Sequence, residues 1–152
     1  RLFLISGLAF MSDSIEVGVI TFLAHEAEKE WDLHGFETNA LAIIVFVGEF
    51  VGSFFWGPLA DRIGRKKTYI LANSALVGFG CLSAVAQSFW SLVALRALVG
   101  ISIGGIVVPF DNLSECVPDE HRVLLGYAME FWWTGGTLFV TGTASIVLPA
   151  PW

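Results

Sequence analysis

Charge is scarce in this chain of 152 residues. Only 14% of the side chains are Asp, Glu, Lys or Arg, against roughly a quarter in a typical soluble domain. Hydrophobic residues make up 55% and the mean hydropathy is +0.72. The long apolar runs also lack the polar face that the amphipathic helices of a soluble protein show. The composition therefore predicts an integral, multi-pass membrane protein.

Basic residues and metal-binding residues are scarce as well. Eight Lys and Arg face fourteen Asp and Glu, for a net charge of −6, which argues against a nucleic-acid partner. His25, His34 and His121 are scattered over different connectors, so the sequence predicts no metal site and no cofactor. Cys81 and Cys116 are expected to be small apolar fillers rather than a disulfide.

The chain lacks an initiator Met at Arg1 and stops at Trp152, directly after a hydrophobic run. We expect it to be part of a longer protein. Residues 2–11 resemble the core of a signal peptide, but the apolar pattern continues to Leu23 without a cleavage site of small residues. The segment is therefore predicted to be the first membrane helix.

Five segments are long and apolar enough to cross a bilayer, which takes about 20 residues. No linker or low-complexity tract separates them, so residues 1–152 are predicted to form one helical bundle. The predicted spans are approximately 2–24, 39–59, 68–87, 90–113 and 124–148.

The orientation of these spans follows from the segment GPLADRIGRKK at 57–67. It carries Arg62, Arg65, Lys66 and Lys67, and short connectors rich in Lys and Arg stay on the cytoplasmic side. The preceding connector, 25–38, is acidic and is expected on the opposite side. The amino end is therefore predicted to be cytoplasmic. The membrane itself is expected to be the plasma membrane or the membrane of an organelle or vesicle.

Asp13 and Glu16 lie within the first predicted span and Arg96 within the fourth. Ionised side chains in the membrane cost about 3 kcal/mol or more, and they usually face a protein interior or a hydrated cavity. The two acids share a helix face, and Arg96 should lie at the level of Glu16. Two interpretations remain open: these residues couple protons or bind substrate, or Arg96 only neutralises an acid and orients two helices.

Other polar residues in the spans form two groups. One group is predicted to line a cavity and consists of Glu49, Glu130 and Trp132. The alternative is that the aromatic side chains pack against lipid. The other, near the cytoplasmic end of the fourth span, is expected to form a charge network: Asp111, Glu115 and Arg122.

Glycines recur four residues apart in two spans, as Gly48 with Gly52 and as Gly100 with Gly104. Such pairs let membrane helices approach closely. Packing is the favoured interpretation, and a role in gating is the alternative.

Three motifs resemble the amino-terminal half of a major facilitator superfamily transporter. GPLADRIGRKK resembles the loop between helices two and three of that superfamily, and RALVGISIGG at 96–105 resembles its fourth-helix motif. The segment ECVPDEHR at 115–122 resembles the pattern after that helix in sugar porters, although Val123 stands where Gly is usual. The acids of the first span and Glu130-Phe-Trp132 with Gly135 are most similar to the synaptic-vesicle-protein-related and niacin or aromatic-acid transporter branch.

The resemblance implies an all-α major facilitator fold of twelve helices in two bundles, of which this chain supplies about five. Substrate would bind between the bundles and be exposed to alternate sides. Asp61 would cap a helix of the carboxyl-terminal half and, with Arg65, latch one state. The gating loop implied in this way consists of Gly57, Asp61, Arg62, Gly64, Arg65 and Lys66.

The leading hypothesis is therefore a secondary active transporter of a small organic solute, an organic anion or a sugar-like compound, driven by protons. Its expected partners are the solute, protons, the lipid bilayer and the carboxyl-terminal half of the transporter. The alternative is a membrane receptor or scaffold of the same fold that does not transport. No nucleophile, base and orienting group occur at recognisable spacing, so no enzyme is predicted.

Overall fold

The computed structural model describes residues 2–31, 35–106, 110, 113–114 and 116–147. Its longer elements in this part of the chain are all helices, which confirms the predicted all-α class. They are α1 (Leu2–Trp31), α2 (Phe36–Ile63), α3 (Arg65–Ser83), α4 (Phe89–Ile103) and α5 (Asp119–Val147).

The helices differ from the predicted spans mainly at their ends. α1, α2 and α5 continue beyond the apolar residues into polar ones, because backbone hydrogen bonding does not stop where hydrophobicity does. α4 ends at Ile103 rather than near Leu113, and Gly104–Ile106 form a turn. Glycine disfavours the helix interior, and two of these three turn residues are glycines.

The chain divides into two compact units. One comprises Arg1–Phe22 and Pro109–Trp152, and the other comprises Leu23–Val108. These are the first and the second unit. The arrangement of residues 1–152 as one bundle stays a prediction.

In the second unit, α2 and α4 run parallel and in close contact. Leu41 clusters with Leu92 near the start of both helices, and Trp56 reaches Ile101 near their ends. Between these points, a Cβ atom built on Gly100 would collide with the carbonyl oxygen of Val45. The two backbones therefore touch where the sequence places its glycine pairs, which is the packing role predicted for them.

α3 packs antiparallel against α4. Ser83 near the end of α3 contacts Arg96 in the middle of α4. Ala72, earlier in α3, lies beside the turn that follows α4, since a Cβ built on Gly105 would be 2.6 Å from the Cβ of Ala72. The side of α3 that carries Ala72 also buries Thr68 and Leu76.

Both ends of α4 are closed by hydrogen bonds. Ser88 accepts from the Ser91 amide at 3.3 Å, and the Ser91 hydroxyl accepts from the Ser88 amide at the same distance, which makes a capping box. At the other end, the indole Nε1 of Trp56 donates to the carbonyl oxygen of Ile101 at 2.7 Å. That carbonyl is one of the last four of the helix, which need a partner outside the regular ladder.

In the first unit, α1 and α5 run parallel. Gly7 faces Trp132, Ser14 hydrogen-bonds Thr137, and Gly18 faces Val140. Parallel pairing of the first with the fifth helix, and of the second with the fourth, agrees with a chain that crosses a membrane in alternating directions. The face of α5 that is buried carries Leu125, Met129, Gly136, Val140 and Ala144.

Large apolar side chains are exposed along the helices. On α2 they include Phe46, Phe50 and Phe54, each more than half exposed. Two helices, α1 over Leu2–Lys29 and α2 over Asn39–Ile63, are long and apolar enough to span a membrane, and α4 is a shorter apolar helix. The other three predicted spans stay predictions.

Candidate functional site

The predicted gating loop is almost entirely helical. Gly57 to Ile63 are the last two turns of α2, Arg65 begins α3, and Gly64 alone lies between the helices. Gly64 makes the sharp connection possible because its φ of 93° is readily adopted only by glycine. The connector between the two helices is thus one residue long, whereas the predicted spans leave residues 60–67 between them.

Gly64 also closes both helix ends. Its amide donates to the carbonyl oxygen of Ala60 at 3.0 Å, and its own carbonyl accepts the amides of Lys67 and Thr68 at 3.1 and 3.2 Å. The Thr68 hydroxyl donates to the same carbonyl at 3.2 Å. Since this residue is held from both sides, the angle between α2 and α3 is fixed by the backbone at Gly64.

The charged residues around Gly64 are presented at the surface of the second unit. Asp61, Arg62 and Lys66 are exposed, and Arg65 is half-buried. The polar side chains therefore lie where another segment of protein could contact them. Their role in gating stays a prediction.

Arg96 is the most deeply buried charged side chain in the described residues, with 6% of its surface exposed. It lies on the buried face of α4 between Leu92 and Val99. Its Nη2 donates to the Ser83 hydroxyl of α3 at 3.2 Å. The same hydroxyl donates to the Gly80 carbonyl at 2.7 Å, so Ser83 links the guanidinium to the backbone of α3.

Glu49 flanks the contact between α2 and α4. Its side chain is half-buried, and its carbonyl oxygen would be 2.7 Å from a Cβ built on Gly104. This residue therefore lies beside a close backbone approach in the second unit. Whether its carboxyl group lines a cavity stays a prediction.

Asp13 and Glu16 are half-buried on α1, and their neighbour Ser14 is almost completely buried. The Ser14 hydroxyl donates to the carbonyl oxygen of Trp133 at 2.7 Å and lies 2.9 Å from the Thr137 hydroxyl. At about 100° per residue, Asp13 and Glu16 lie on the same side of α1, about 100° and about 160° around the helix axis from Ser14. The contact between Ser14 and α5 thus sets the direction in which the two acids project.

The predicted pairing of Arg96 with Glu16 stays a prediction, because Glu16 belongs to the first unit and Arg96 to the second. The structure does establish a serine contact for Arg96 and a serine contact for the helix that carries Glu16. Ser83 contacts Arg96 directly, and Ser14 fixes the helix that carries Glu16.

Glu130 and Trp132, predicted to share a cavity, project differently from α5. Glu130 is exposed and lines an open depression of about 370 Å³ together with Tyr127, Phe131 and Thr134. Trp132 is half-buried, packs on a cluster that contains Met129, and covers Gly7. A cavity role for either residue stays a prediction.

The predicted cytoplasmic charge network is described only at Arg122, since Asp111 and Glu115 lie outside the described residues. Nη1 of Arg122 is 2.8 Å from the carboxylate of Asp119 within the first turn of α5, and both side chains are largely exposed. Such an exposed pair contributes little to stability.

Two serines that position candidate functional residues, Ser14 and Ser83, escaped the sequence analysis. Both are small polar residues inside apolar segments, which is a signal that a sequence does carry. Serine also occurs in membrane helices where it bonds only to the backbone of its own helix, as Ser12 and Ser74 do here. Only the packing of the helices distinguishes a serine that contacts another helix from one that bonds within its own.

Comparison with known proteins gives a consistent result. Residues 3–148 match the family model described as "Sugar (and other) transporter". Over 150 residues the chain is 35% identical to synaptic vesicle glycoprotein 2A of Rattus norvegicus, covering 97% of this chain and 20% of that protein. It is 32% identical to synaptic vesicle 2-related protein of Bos taurus, covering 99% of this chain and 27% of that protein.

The chain therefore spans about a fifth to a quarter of the length of these relatives. The match extends over nearly all of its described helices, and the exposed apolar surfaces and the membrane-length helices α1 and α2 agree with it. The chain is an integral membrane protein of the sugar (and other) transporter family, and it corresponds to the amino-terminal half of a major facilitator fold.

Proposed function

We propose that this protein is a secondary active transporter that moves a small organic solute, an organic anion or a sugar-like compound, together with protons. The observation that carries the proposal is Arg96, a guanidinium 6% exposed on an apolar helix of a transporter-family chain. Ionisable groups inside a membrane are expensive, and they are a default indication of a substrate or ion pathway.

The position of Arg96 supports a part in binding or coupling. The residue lies about 10 Å from the start of α4, which corresponds to a level inside the hydrocarbon region. Arginine remains charged there, and its guanidinium carries five N–H donors in a planar fork. A carboxylate or hydroxyl group of a solute is an acceptor of the right kind for such a fork.

Asp13 and Glu16 are the candidates for carrying the proton. They lie three residues apart on one face of α1 and are half-buried. Two carboxylates in a site of low polarity resist being ionised together, so one of them can take up and release a proton as the site changes its exposure. Arg96 would then favour the ionised form of a nearby acid at one stage of the cycle.

The conformational change would use the connector at Gly64. Asp61 and Arg65 flank this rigid corner, and we infer that they contact the carboxyl-terminal half of the transporter in one of its two states. The chain covers 20% and 27% of its relatives, which is consistent with a partner half that completes the transport path.

The test uses the protein as its gene encodes it, purified and reconstituted into proteoliposomes with an imposed pH gradient. A panel of labelled sugars and organic anions is screened for uptake that collapses when a protonophore is added. Arg96→Ala is expected to abolish this uptake, and Arg96→Lys to retain part of it. Lys29→Ala removes an exposed cation that pairs with Glu26 on α1, and as the control it should transport normally.

Normal proton-driven uptake by Arg96→Ala would overturn the assignment of Arg96. A complete absence of accumulation for every solute would instead favour a receptor or scaffold of the same fold. That second candidate has one observation in its favour, since the relatives are named for a vesicle and not for a solute.

A further inference from the structure

A carboxylate in the middle of α5 is exposed rather than buried against the protein. Glu130 lies about 16 Å along a helix that runs from Asp119 to Val147, so it falls well inside a hydrocarbon core of ~30 Å. A carboxylate cannot face lipid at that depth without a large free-energy cost. Its side of α5 must therefore meet water, a polar ligand or a polar group from another part of the protein.

Two aromatic rings flank this carboxylate. Tyr127, Glu130, Phe131 and Thr134 occupy positions i, i+3, i+4 and i+7, so they share one face of the helix. They line a depression of about 370 Å³, a volume within the range of small-ligand sites. Tyr127 and Phe131 are 66% and 78% exposed, so their ring faces are open to a ligand.

The depression carries a single negative charge. The Thr134 hydroxyl already donates to the carbonyl oxygen of Glu130 at 2.9 Å, and Tyr127 and Phe131 are uncharged. In the part of the chain that the structure describes, Glu130 forms no ion pair with a cation. An anionic ligand would be repelled by this surface.

A metal ion fits the site poorly. Within the described ranges no group of three or more His, Cys, Asp or Glu is arranged to hold one, and hard cations need several oxygen ligands. An organic ammonium ion requires fewer protein ligands than a metal ion does. One carboxylate balances its charge, and the faces of aromatic rings attract its positive methylene or methyl groups.

We propose that Tyr127, Glu130, Phe131 and Thr134 form a binding site for an organic ammonium ion. Glu130 pairs with the charged nitrogen, and the rings of Tyr127 and Phe131 cover the alkyl groups around it. The inference goes beyond the proposed transport of an anionic or sugar-like solute, because binding at this site needs neither proton coupling nor Arg96. A carrier of zwitterions or amines would use the site directly.

The test is equilibrium binding to the purified protein in detergent, with choline as the probe. Its neutral isostere, 3,3-dimethylbutan-1-ol, has the same shape with carbon in place of the ammonium nitrogen. Choline should bind at least about tenfold more tightly than the isostere, since only choline pairs with the carboxylate. Equal binding of the two compounds, or no binding of choline, would overturn the proposal.

Substitutions then locate the site. Glu130→Gln keeps the shape and removes the charge, and it should lower choline affinity about tenfold or more. Glu120→Gln, which neutralises an exposed acid in the first turn of the same helix, is the matched control and should bind as the unmodified protein does. Phe131→Leu should lower affinity about threefold, whereas Phe139→Leu, an exposed phenylalanine outside the depression, should not.

These results are independent of the transport assay. Both charge variants change exposed side chains, and an unaltered size-exclusion profile will show that they fold. Choline binding that survives Glu130→Gln, or that falls equally in Glu120→Gln, would refute the assignment. Failure of every uptake experiment would leave the binding result standing.

Discussion

The hydroxyl oxygen of Ser14 on α1 lies 2.9 Å from the hydroxyl oxygen of Thr137 on α5. The Ser14 proton goes to the Trp133 carbonyl at 2.7 Å, and Thr137 donates its one proton either to Ser14 or to the same carbonyl, 3.2 Å away. Three polar groups from two parallel helices thus satisfy one another inside the first unit. Because Asp13 and Glu16 lie beside Ser14 in the sequence, these hydrogen bonds fix the rotation of the helix that carries both candidate proton-binding residues.

Replacing Ser14 by Ala should destabilise the contact between α1 and α5 by about 1 kcal/mol, the usual net value of one or two hydrogen bonds between membrane helices. The measurement is the thermal unfolding midpoint of the purified protein in detergent. Ser12→Ala is the matched control, because the Ser12 hydroxyl bonds to the Leu8 carbonyl of its own helix. Equal midpoints for the two variants would contradict a tertiary role of Ser14.

A double-mutant cycle separates the contact from other effects of each substitution. Ser14→Ala and Thr137→Ala should each lower stability, and together they should cost less than their sum by about 0.5 kcal/mol or more. Strict additivity would show that the 2.9 Å contact between the two hydroxyls carries no energy.

The close approach of α2 and α4 predicts a second effect. Gly100→Ala would place a methyl group on the Val45 carbonyl, and because this carbonyl belongs to the backbone, only a shift of one helix can relieve the overlap. We expect a loss of about 1 to 3 kcal/mol. Gly78→Ala on α3, where an added Cβ would meet no side chain or other helix of the described residues within 4 Å, should be neutral or slightly stabilising, and a comparable loss there would contradict the argument.

The one-residue corner at Gly64 predicts a third effect on stability. Gly64→Ala keeps every side-chain contact but forces alanine to a φ of 93°, which costs about 1 to 3 kcal/mol. Gly57→Ala, at an open position within α2, is the control and should be tolerated. Stability is read from the same unfolding midpoint, and an unchanged Gly64→Ala protein would show that this corner is not held in the observed conformation.

The sequence predicts the helices well because hydrophobic runs, glycine pairs and the basic connector are local signals. It places the end of α4 too late, since hydropathy does not register that Gly104 and Gly105 end the helix. It also ends the second span near Leu59, whereas the helix continues to Ile63, directly before the corner at Gly64.

The candidate site is less predictable for a different reason. Asp13, Glu16, Arg96 and Glu130 stand out because charge is costly in apolar segments, but their neighbours in the fold are ordinary residues. Nothing in the pattern distinguishes Ser83 from Ser74, although Ser83 contacts Arg96 and the Ser74 hydroxyl bonds to the Ile70 carbonyl of its own helix. The directions in which Glu130 and Trp132 project also depend on which face of α5 packs against α1.

Ser83 provides the sharpest test of how Arg96 is held. Its hydroxyl bonds to the Gly80 carbonyl at 2.7 Å and accepts from Arg96 at 3.2 Å, whereas the Ser74 hydroxyl makes a comparable backbone bond, to Ile70 at 2.8 Å. Comparing Ser83→Ala with Ser74→Ala therefore isolates the contact with the guanidinium. Removing an acceptor from a buried charged donor should cost about 1 to 3 kcal/mol, so Ser83→Ala should unfold at a clearly lower temperature than Ser74→Ala. Coincident unfolding curves would show that Arg96 is stabilised without Ser83.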